Sequence, residues 1–566
     1  MNELSEMDLI LIIFEKRNIG KYPKMNNLEQ QIGWKATSTT GVVAAGSADS
    51  VAAGIKILQA GGNAADAAVA TIFALNITEH GACSIGGEVP LLIYDAQNKD
   101  VKALSGQGRA PLSQEAINWY MKHGIPGGGD IKMAPVPSVV SLCITTLRQY
   151  GSRTLKEVVA PALNLLDAGT EVWHPKLAVT LRLMIEEEQI TPGSREEKLQ
   201  AACDRFYGRN PYRSDIADEL EADYNEKAGF LCKKDLAAHV TTIEDPVTID
   251  YRGYTICKCG PWTQGPYLCQ ALRLLEGFDL KVMGHFSADY IHVVTESLKL
   301  AMADRDAYYA DPDFVNVPLD TLLSDAYTDM RRPLINMQQA SQEARPGDAY
   351  GMTPLKDGGA FEPGFGGTTT CVVADRWGNV VSATPSANVP AEPRDGGKTG
   401  VTFSNRLRSF NTMPGHPNCI ESGKRPRITL TPTLVLKDGQ PIMAISVAGG
   451  DLQDQVTLNL LLNVIEFGMK PEAAVTAPRF ATAHHQDSFD PNPDRMQTFN
   501  GPGLLKVNDR MHERVQEELL RRGHKLDVTK SPIARPVMLY IDQESGLFYA
   551  AGDPDAERHA AGLDRK

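Results

Sequence analysis

Gly366-Gly367-Thr368-Thr369-Thr370-Cys371-Val372-Val373-Ala374-Asp375 joins two unlike kinds of sequence. Upstream, residues 337–367 carry Pro346, Gly347, Gly351, Pro354, Gly358, Gly359, Pro363, Gly364, Gly366 and Gly367, with little apolar periodicity. That composition reads as a long flexible segment, and such a segment inside a compact protein is functional or a linker. Downstream the apolar period switches to two. TTTCVVAD, a Trp377-Gly378-Asn379 turn and VVSATPSA read as a hairpin. TPTLVLKDGQPIMAISVAGG reads as a second, turned at Asp438-Gly439. VMLYIDQESGLFYAAGD reads as a third.

Working outward towards the N-terminus, helical patterns take over. Residues 1–38 read as an extension without a clear element. GVVAAG, from Gly41, is strand-like, and Ser47 or Asp49 can cap the helix after it. Val51, Ile55 and Leu58 fall at i, i+4 and i+7, a buried stripe that Gly61-Gly62-Asn63 ends. ADAAVATIFAL is apolar all round and reads as a buried helix. SIGGEVPLLIYD reads as a strand after a Gly-Gly turn, loops break up 105–135, and a helix-rich middle follows. Its longest helix, SADYIHVVTESLKLAMADRDAYY, spaces Ile291, Val294, Leu298 and Met302 helically. No 20–50-residue repeat is present. Early helices and late strands favour layered α+β packing over alternating βαβ units.

Composition removes several function classes. The 566 residues are 42% hydrophobic and 22% charged, ordinary globular proportions. A net charge of −13 argues against nucleic-acid and anionic-membrane partners, because phosphate binding needs a basic field. The apolar run Leu9–Phe14 is too short to span a membrane, and Glu3, Glu6 and Asp8 precede it where a signal peptide would be basic. A cytoplasmic protein is the expectation. The nine cysteines, including Cys257 and Cys259, are scattered like thiols of a reducing compartment. His484-His485 with Asp487 lacks a third ligand at useful spacing, so no metal and no cofactor is expected. Gly127-Gly128-Gly129 lacks the Lys and Ser/Thr of a phosphate loop. Asp304-Arg305-Asp306, on a helix, reads as structural ion pairs.

The Gly-Gly-Thr junction has a bland reading, since threonine favours strands. It also has a chemical one. A threonine hydroxyl is a poor nucleophile without an adjacent base, and the α-amine of a chain-terminal threonine, with a pKa of about 8, is such a base. Cleavage between Gly367 and Thr368 would create it, and glycine crowds that position least.

Several segments tip the balance. GVVAAGSADSVAAGIKILQAGGNAADAAVA, IGGEVPLLIYD, PALNLLDAG and SADYIHVVTESLKLAMADRDAYYADPDF precede the junction. GGTTTCVVADRWGNVVSAT, KRPRITLTPTLVLKDGQP, VAGGDLQDQ, NVIEFGMKPEAAVTAPRF and GDPDAERHAAGL follow it. In this order they resemble the γ-glutamyltranspeptidase family from about Gly41 to the C-terminus. The resemblance implies a four-layer αββα sandwich of the N-terminal-nucleophile hydrolase kind. It implies a zymogen that cuts itself into a large fragment (39–367) and a small one (368–566), which together form one domain. It implies the nucleophile at Thr368, a supporting hydroxyl at Ser386, and Asn388 lining the site. It implies an oxyanion hole from the N–H groups of Gly449 and Gly450, where each donor contributes about 3–4 kcal/mol.

The chain departs from the family at the clamp for the zwitterionic end of glutamate. The family's R-E-x-A-P arginine slot holds Gln107, with Arg109 two residues away; its M-D-D-F aspartate slot holds Ser409. Its two P-L-S-S-M serines are Ile428 and Thr429. The stretch from Phe410 to Lys424 is short, so the lid loop of the transpeptidases is expected to be reduced. A lost charged clamp weakens recognition by a few kcal/mol, which favours the family's acylase and amidohydrolase branch and a small acyl amide as substrate. Arg109, Arg406, Arg408 and Arg427 either make the pocket positive, suiting an acidic acyl group, or pair with nearby acids. Two alternatives stay open: γ-glutamyl transfer or glutathione hydrolysis, an acyltransferase role in glutathione metabolism with Arg109 in a rearranged clamp; and an unprocessed, non-enzymatic scaffold.

Overall fold

The computed structural model describes residues 32–356, 368–387, 389, 396–495, 497–499 and 501–563. Two seven-stranded sheets dominate it. One runs β17(His559–Gly562)–β2(Gly41–Ala45)–β8(Cys371–Asp375)–β9(Val380–Ala383)–β3(Val89–Asp95)–β4(Asp100–Gly106)–β5(Thr242–Glu244). The other runs β1(Lys35–Ser38)–β16(Leu547–Gly552)–β15(Arg535–Asp542)–β11(Gln440–Ala448)–β10(Thr433–Lys437)–β7(Tyr254–Lys258)–β6(Val247–Tyr251). A small sheet joins β12(Phe480–Thr482), β13(Leu504–Asn508) and β14(Lys525–Thr529).

The period-2 pattern decides how these sheets are layered. Successive side chains of a strand face opposite ways, and here both faces are apolar. Val42, Ala44, Val372 and Ala374 pack against Leu434, Ala444, Val537 and Leu539 of the facing sheet. Their neighbours Val43 and Val373 turn outward onto the helices Ala48–Gln59 and Ala64–Thr78. Val435, Met443, Ile445 and Val447 turn onto the helices Pro266–Leu275, Ala288–Tyr308 and Gln453–Ile465. Three apolar seams therefore bind four layers, the expected αββα sandwich. Each sheet contains strands from both sides of residue 367, so the two halves share one core.

Local expectations are met where short-range chemistry rules. Ser47, not Asp49, caps the first helix, and the alanine-rich helix is buried on every side. β10 and β11 form a hairpin whose turn residues Asp438 and Gly439 have φ of 51° and 74°, the positive pair a type I′ turn requires. All nine cysteines are free. Among the described residues no helix is long and apolar enough to cross a membrane.

Two boundaries need correction. The 1–38 extension ends earlier, because Lys35–Ser38 pairs with β16 and Gly33 bridges Ala560; residues 1–31 lie outside the described ones. The flexible reading of 337–367 does not hold for 337–356. There the Gly347 amide donates to Asp304 (2.7 Å), Arg345 pairs with Glu296 (2.9 Å), and Arg331 donates to the Pro354 carbonyl (2.6 Å). Glycine and proline set the backbone, while buried charges from distant helices hold it. Residues 357–367 lie outside the described residues.

Candidate active site

The site is a row across the ends of four neighbouring strands. Thr369 N donates to Pro385 O (2.9 Å), which continues the β8–β9 pairing and sets Thr368 opposite Ser386. Ser386 and Glu88 exchange two backbone hydrogen bonds, each 2.9 Å. One step beyond the Val89–Gly106 pair, Gln107 falls opposite Glu88. Residues opposite each other in antiparallel strands put their side chains on the same face. Thr368, Ser386, Glu88 and Gln107 thus share one face, and all four are buried.

Within the row, Thr368 Oγ1 donates to Ser386 Oγ at 3.4 Å, the long limit of a hydrogen bond. Arg406 closes over it from the short turn Arg406–Ser409, with Nε donating to Glu88 Oε1 and Nη2 to Ser386 Oγ, both at 2.6 Å. Burial pushes the Glu88 carboxyl above its usual range, and Arg406 pulls it back. A second ring contact completes the wall. The guanidinium groups of Arg406 and Arg408 lie over Phe489, 5.4 and 5.2 Å from the ring centroid.

The second wall is the turn leading into the helix Gln453–Ile465. Gly449 and Gly450 have φ of 153° and 59°, values that side chains with a Cβ rarely adopt. A Cβ would also meet Ala534 Cβ at 2.9 Å from Gly449 and Phe489 Cε2 at 3.0 Å from Gly450. Both positions therefore require glycine. Four residues into this turn, the Gln453 side chain reaches within 3.4 Å of Thr368 Oγ1. Its amide is best satisfied with the nitrogen donating to Thr429 O (3.0 Å) and Val447 O (3.1 Å). That orientation leaves the Gln453 oxygen facing the threonine hydroxyl, where it competes with Ser386 as acceptor for the single hydrogen. Thr368, Ser386, Arg406, Phe489, Gly450 and Gln453 form a closed ring of contacts.

Several buried polar atoms at this ring have no hydrogen-bond partner among the described residues: Gln107 Oε1, Arg406 Nη1, Ser409 Oγ and Thr429 Oγ1. Buried polar atoms are normally satisfied, so these four are atoms that a ligand's own polar groups could satisfy. Gln107, Ser409 and Thr429 are three of the positions expected from the sequence to bind substrate. Arg109 goes elsewhere: it ion-pairs with Asp313 (3.0 Å) and Asp311 (3.6 Å) and donates to Gly423 O (3.1 Å). Gly367 and Asn388 lie outside the described residues.

The four arginines divide. Arg109 and Arg406 are paired. Arg408 donates to Phe489 O (3.0 Å). Arg427 is buried, donates to Ser488 Oγ (2.7 Å), and is pushed down to about 10 by burial and by the neighbouring Arg305. Asp304, Arg305 and Asp306 make buried ion pairs, Asp304 with Arg331 and Arg305 with Asp306 and Asp451. His484 and His485 bond to backbone carbonyls of Glu343 and Gln486, both at 2.9 Å. Among the described residues no group of three potential ligands could hold a metal ion. The segment after Phe410 folds back tightly, with Ile420 N donating to Asn411 O (3.0 Å). Sequence reading missed Glu88, Gln453 and Phe489. The available signal for Glu88 was an acid between the Gly86-Gly87 turn and the apolar run VPLLIY.

A threonine at a strand head, buried beside a hydroxyl and a two-glycine turn in an αββα sandwich, defines an amide hydrolase of the N-terminal-nucleophile type. The comparisons give its family: the γ-glutamyltranspeptidase model matches residues 50–207 and 174–563, and the chain belongs to that family and is an enzyme of its kind. The glutathione hydrolase proenzyme of Bacillus subtilis is 29% identical over 91% of this chain and 90% of its own length. The Acylase ACY 1 proenzyme of a Pseudomonas species is 30% identical over 88% of each. Among solved structures, the cephalosporin acylase of Bacillus halodurans superposes with a TM-score of 0.77 at 25% identity, covering 97% of this chain and 100% of its own. The chain lies close to the family's acylase branch.

Proposed function

We propose that the chain cuts itself between Gly367 and Thr368, and that the freed Thr368 then hydrolyses a small acyl amide. Thr368 Oγ1 attacks the Gly367 carbonyl, the peptide shifts to an ester, and water releases a large and a small fragment that remain packed together. The new α-amine takes the Oγ1 proton as the substrate carbonyl is attacked. The N–H groups of Gly449 and Gly450 hold the oxyanion, the amine product leaves with the returned proton, and water resolves the acyl-enzyme. The observation that carries this reading is the Thr368 hydroxyl, buried at the head of β8 within 3.4 Å of the Ser386 hydroxyl.

The acyl pocket supports an acylase reading over a glutathione one. Gln107, Ser409 and Thr429 supply neutral polar atoms where a zwitterion needs a cation and an anion, and Arg109 is engaged by Asp311 and Asp313.

Gel electrophoresis with mass spectrometry of purified protein tests the self-cleavage. Two fragments, the smaller beginning at Thr368, are expected, and Thr368→Ala should stay uncut and inactive. An active preparation that remains one uncut chain would overturn it. Simple acyl p-nitroanilides should turn over faster than γ-glutamyl-p-nitroanilide; the reverse order restores the glutamyl reading.

A further inference from the structure

Arg406 stands between an acid and the hydroxyl that touches the nucleophile, and it brings only one edge of its guanidinium to them. Nε and Nη2 hold Glu88 Oε1 and Ser386 Oγ at 2.6 Å each, while Arg406 and Glu88 are both buried. The ion pair spans 318 residues of chain and has one hydroxyl, that of Ser386, between it and Thr368. Removing two charges from water is costly, so a buried pair at this place needs a reason beyond stability.

We propose that Arg406, locked by Glu88, is a positioning residue for the nucleophile that acts through Ser386. A charged donor occupying a lone pair of Ser386 Oγ turns the serine hydrogen away from the guanidinium and makes it a stronger donor. In the resting chain Thr368 donates to Ser386. During attack the Thr368 proton passes to its own α-amine, and the Oγ1 electron pair forms the bond to the acyl carbon. The serine hydrogen stays on Ser386 and now points at the oxygen that carries developing charge. Glu88 fixes the plane of the guanidinium and balances its charge, so the Thr368 amine is not confronted by a bare cation. The inference rests on Thr368 being the nucleophile.

The test is a double-mutant cycle on turnover of the processed protein, with Arg406→Gln, Ser386→Ala and both together. Each single change should lower kcat by about 10²-fold with little change in KM. The double variant should be no slower than the slower single one, because residues acting as a unit are not additive. The pH profile adds a readout that a merely structural role would not move. Arg406→Gln removes a cation near the amine and should move the acid limb of kcat to higher pH. Glu88→Gln leaves that cation uncompensated and should move the limb to lower pH. If Arg406→Gln stays uncut, Arg406→Lys replaces it in the cycle, and the rate of small-fragment appearance is read as well. Multiplying single effects, an effect on KM alone, or an unmoved acid limb in both charge variants would overturn the proposal. Turnover that survives Thr368→Ala would instead overturn the nucleophile itself, a separate outcome.

Discussion

Lys258 Nζ and Asp454 Oδ1 lie 2.7 Å apart with neither side chain reaching solvent. Lys258, at the end of β7, also donates to Thr433 Oγ1 (2.7 Å) and Thr431 O (3.1 Å), and burial raises the Asp454 carboxyl to about 6. Asp454 follows Gln453, whose side chain touches Thr368. The pair therefore pins the start of the site helix to the second sheet. Breaking one partner leaves an uncompensated buried charge, so Lys258→Met should cost about 3–5 kcal/mol by denaturant unfolding. Exchanging both, as Lys258→Met with Asp454→Leu, should recover most of that loss.

The glycine turn gives a second expectation. Gly449 and Gly450 adopt φ of 153° and 59°, with Ala534 and Phe489 in the way of any Cβ. Gly449→Ala should destabilise the chain by about 1–3 kcal/mol from backbone strain. Shifting the two amides should lower turnover by about 10²-fold or more. Thermal melts and steady-state kinetics separate the two losses.

The alternating strands and the Asp438-Gly439 hairpin were legible because each depends on neighbours in sequence, and the nearness of Thr368 to Ser386 because it follows an ordered motif. Glu88 as the partner of Arg406 was not, since the register that places β3 beside β9 brings Glu88 to Ser386. Composition misled at 337–356: nothing local in the glycines and prolines there reveals that Asp304, Glu296 and Arg331 hold them. Arg109 was likewise read by its distance from Pro111, whereas Asp311 and Asp313, two hundred residues on, decide where it points.

Asp487 yields a pH prediction. Burial, with the nearby Asp451 charge, raises its carboxyl to about 7, against the pull of the Phe489 amide (2.8 Å) and Arg408. An acid with a raised pKa holds its proton more tightly folded than unfolded. Its stabilising contribution is complete below about pH 4 and disappears as pH rises through 7. The loss is on the order of 2–4 kcal/mol. Melting temperatures should therefore fall between about pH 4 and 7 in the wild type and level off above. Asp487→Asn keeps the acceptor for the Phe489 amide and should flatten that slope. A slope unchanged in the variant assigns the titration to another group.

Asp304 controls the segment that leads to the junction. Its Oδ1 accepts from Gly347 N (2.7 Å) and Arg331 Nη2 (3.2 Å), and its Oδ2 from Gln270 Nε2 (3.0 Å) and the Tyr327 hydroxyl (3.1 Å). Four donors converge on one carboxylate, so an amide there must turn its own NH2 towards at least one of them. Asp304→Asn should cost about 2–4 kcal/mol, the usual consequence of an unmatched buried donor beside a charge. The loss should be local before it is global, because residues 337–356 have no strand or helix of their own and depend on such tethers. Tyr350 is exposed at 65% in a backbone clamped on both sides by Gly347 and Pro354. Chymotrypsin should thus spare Tyr350 in the wild type and cut after it in Asp304→Asn at temperatures well below the melting transition. Equal resistance in both proteins would mean that Arg345–Glu296 and Arg331–Pro354 suffice without the carboxylate. In that case the Asp304 tether stabilises the helix Ala288–Tyr308 and does not hold the approach to Thr368.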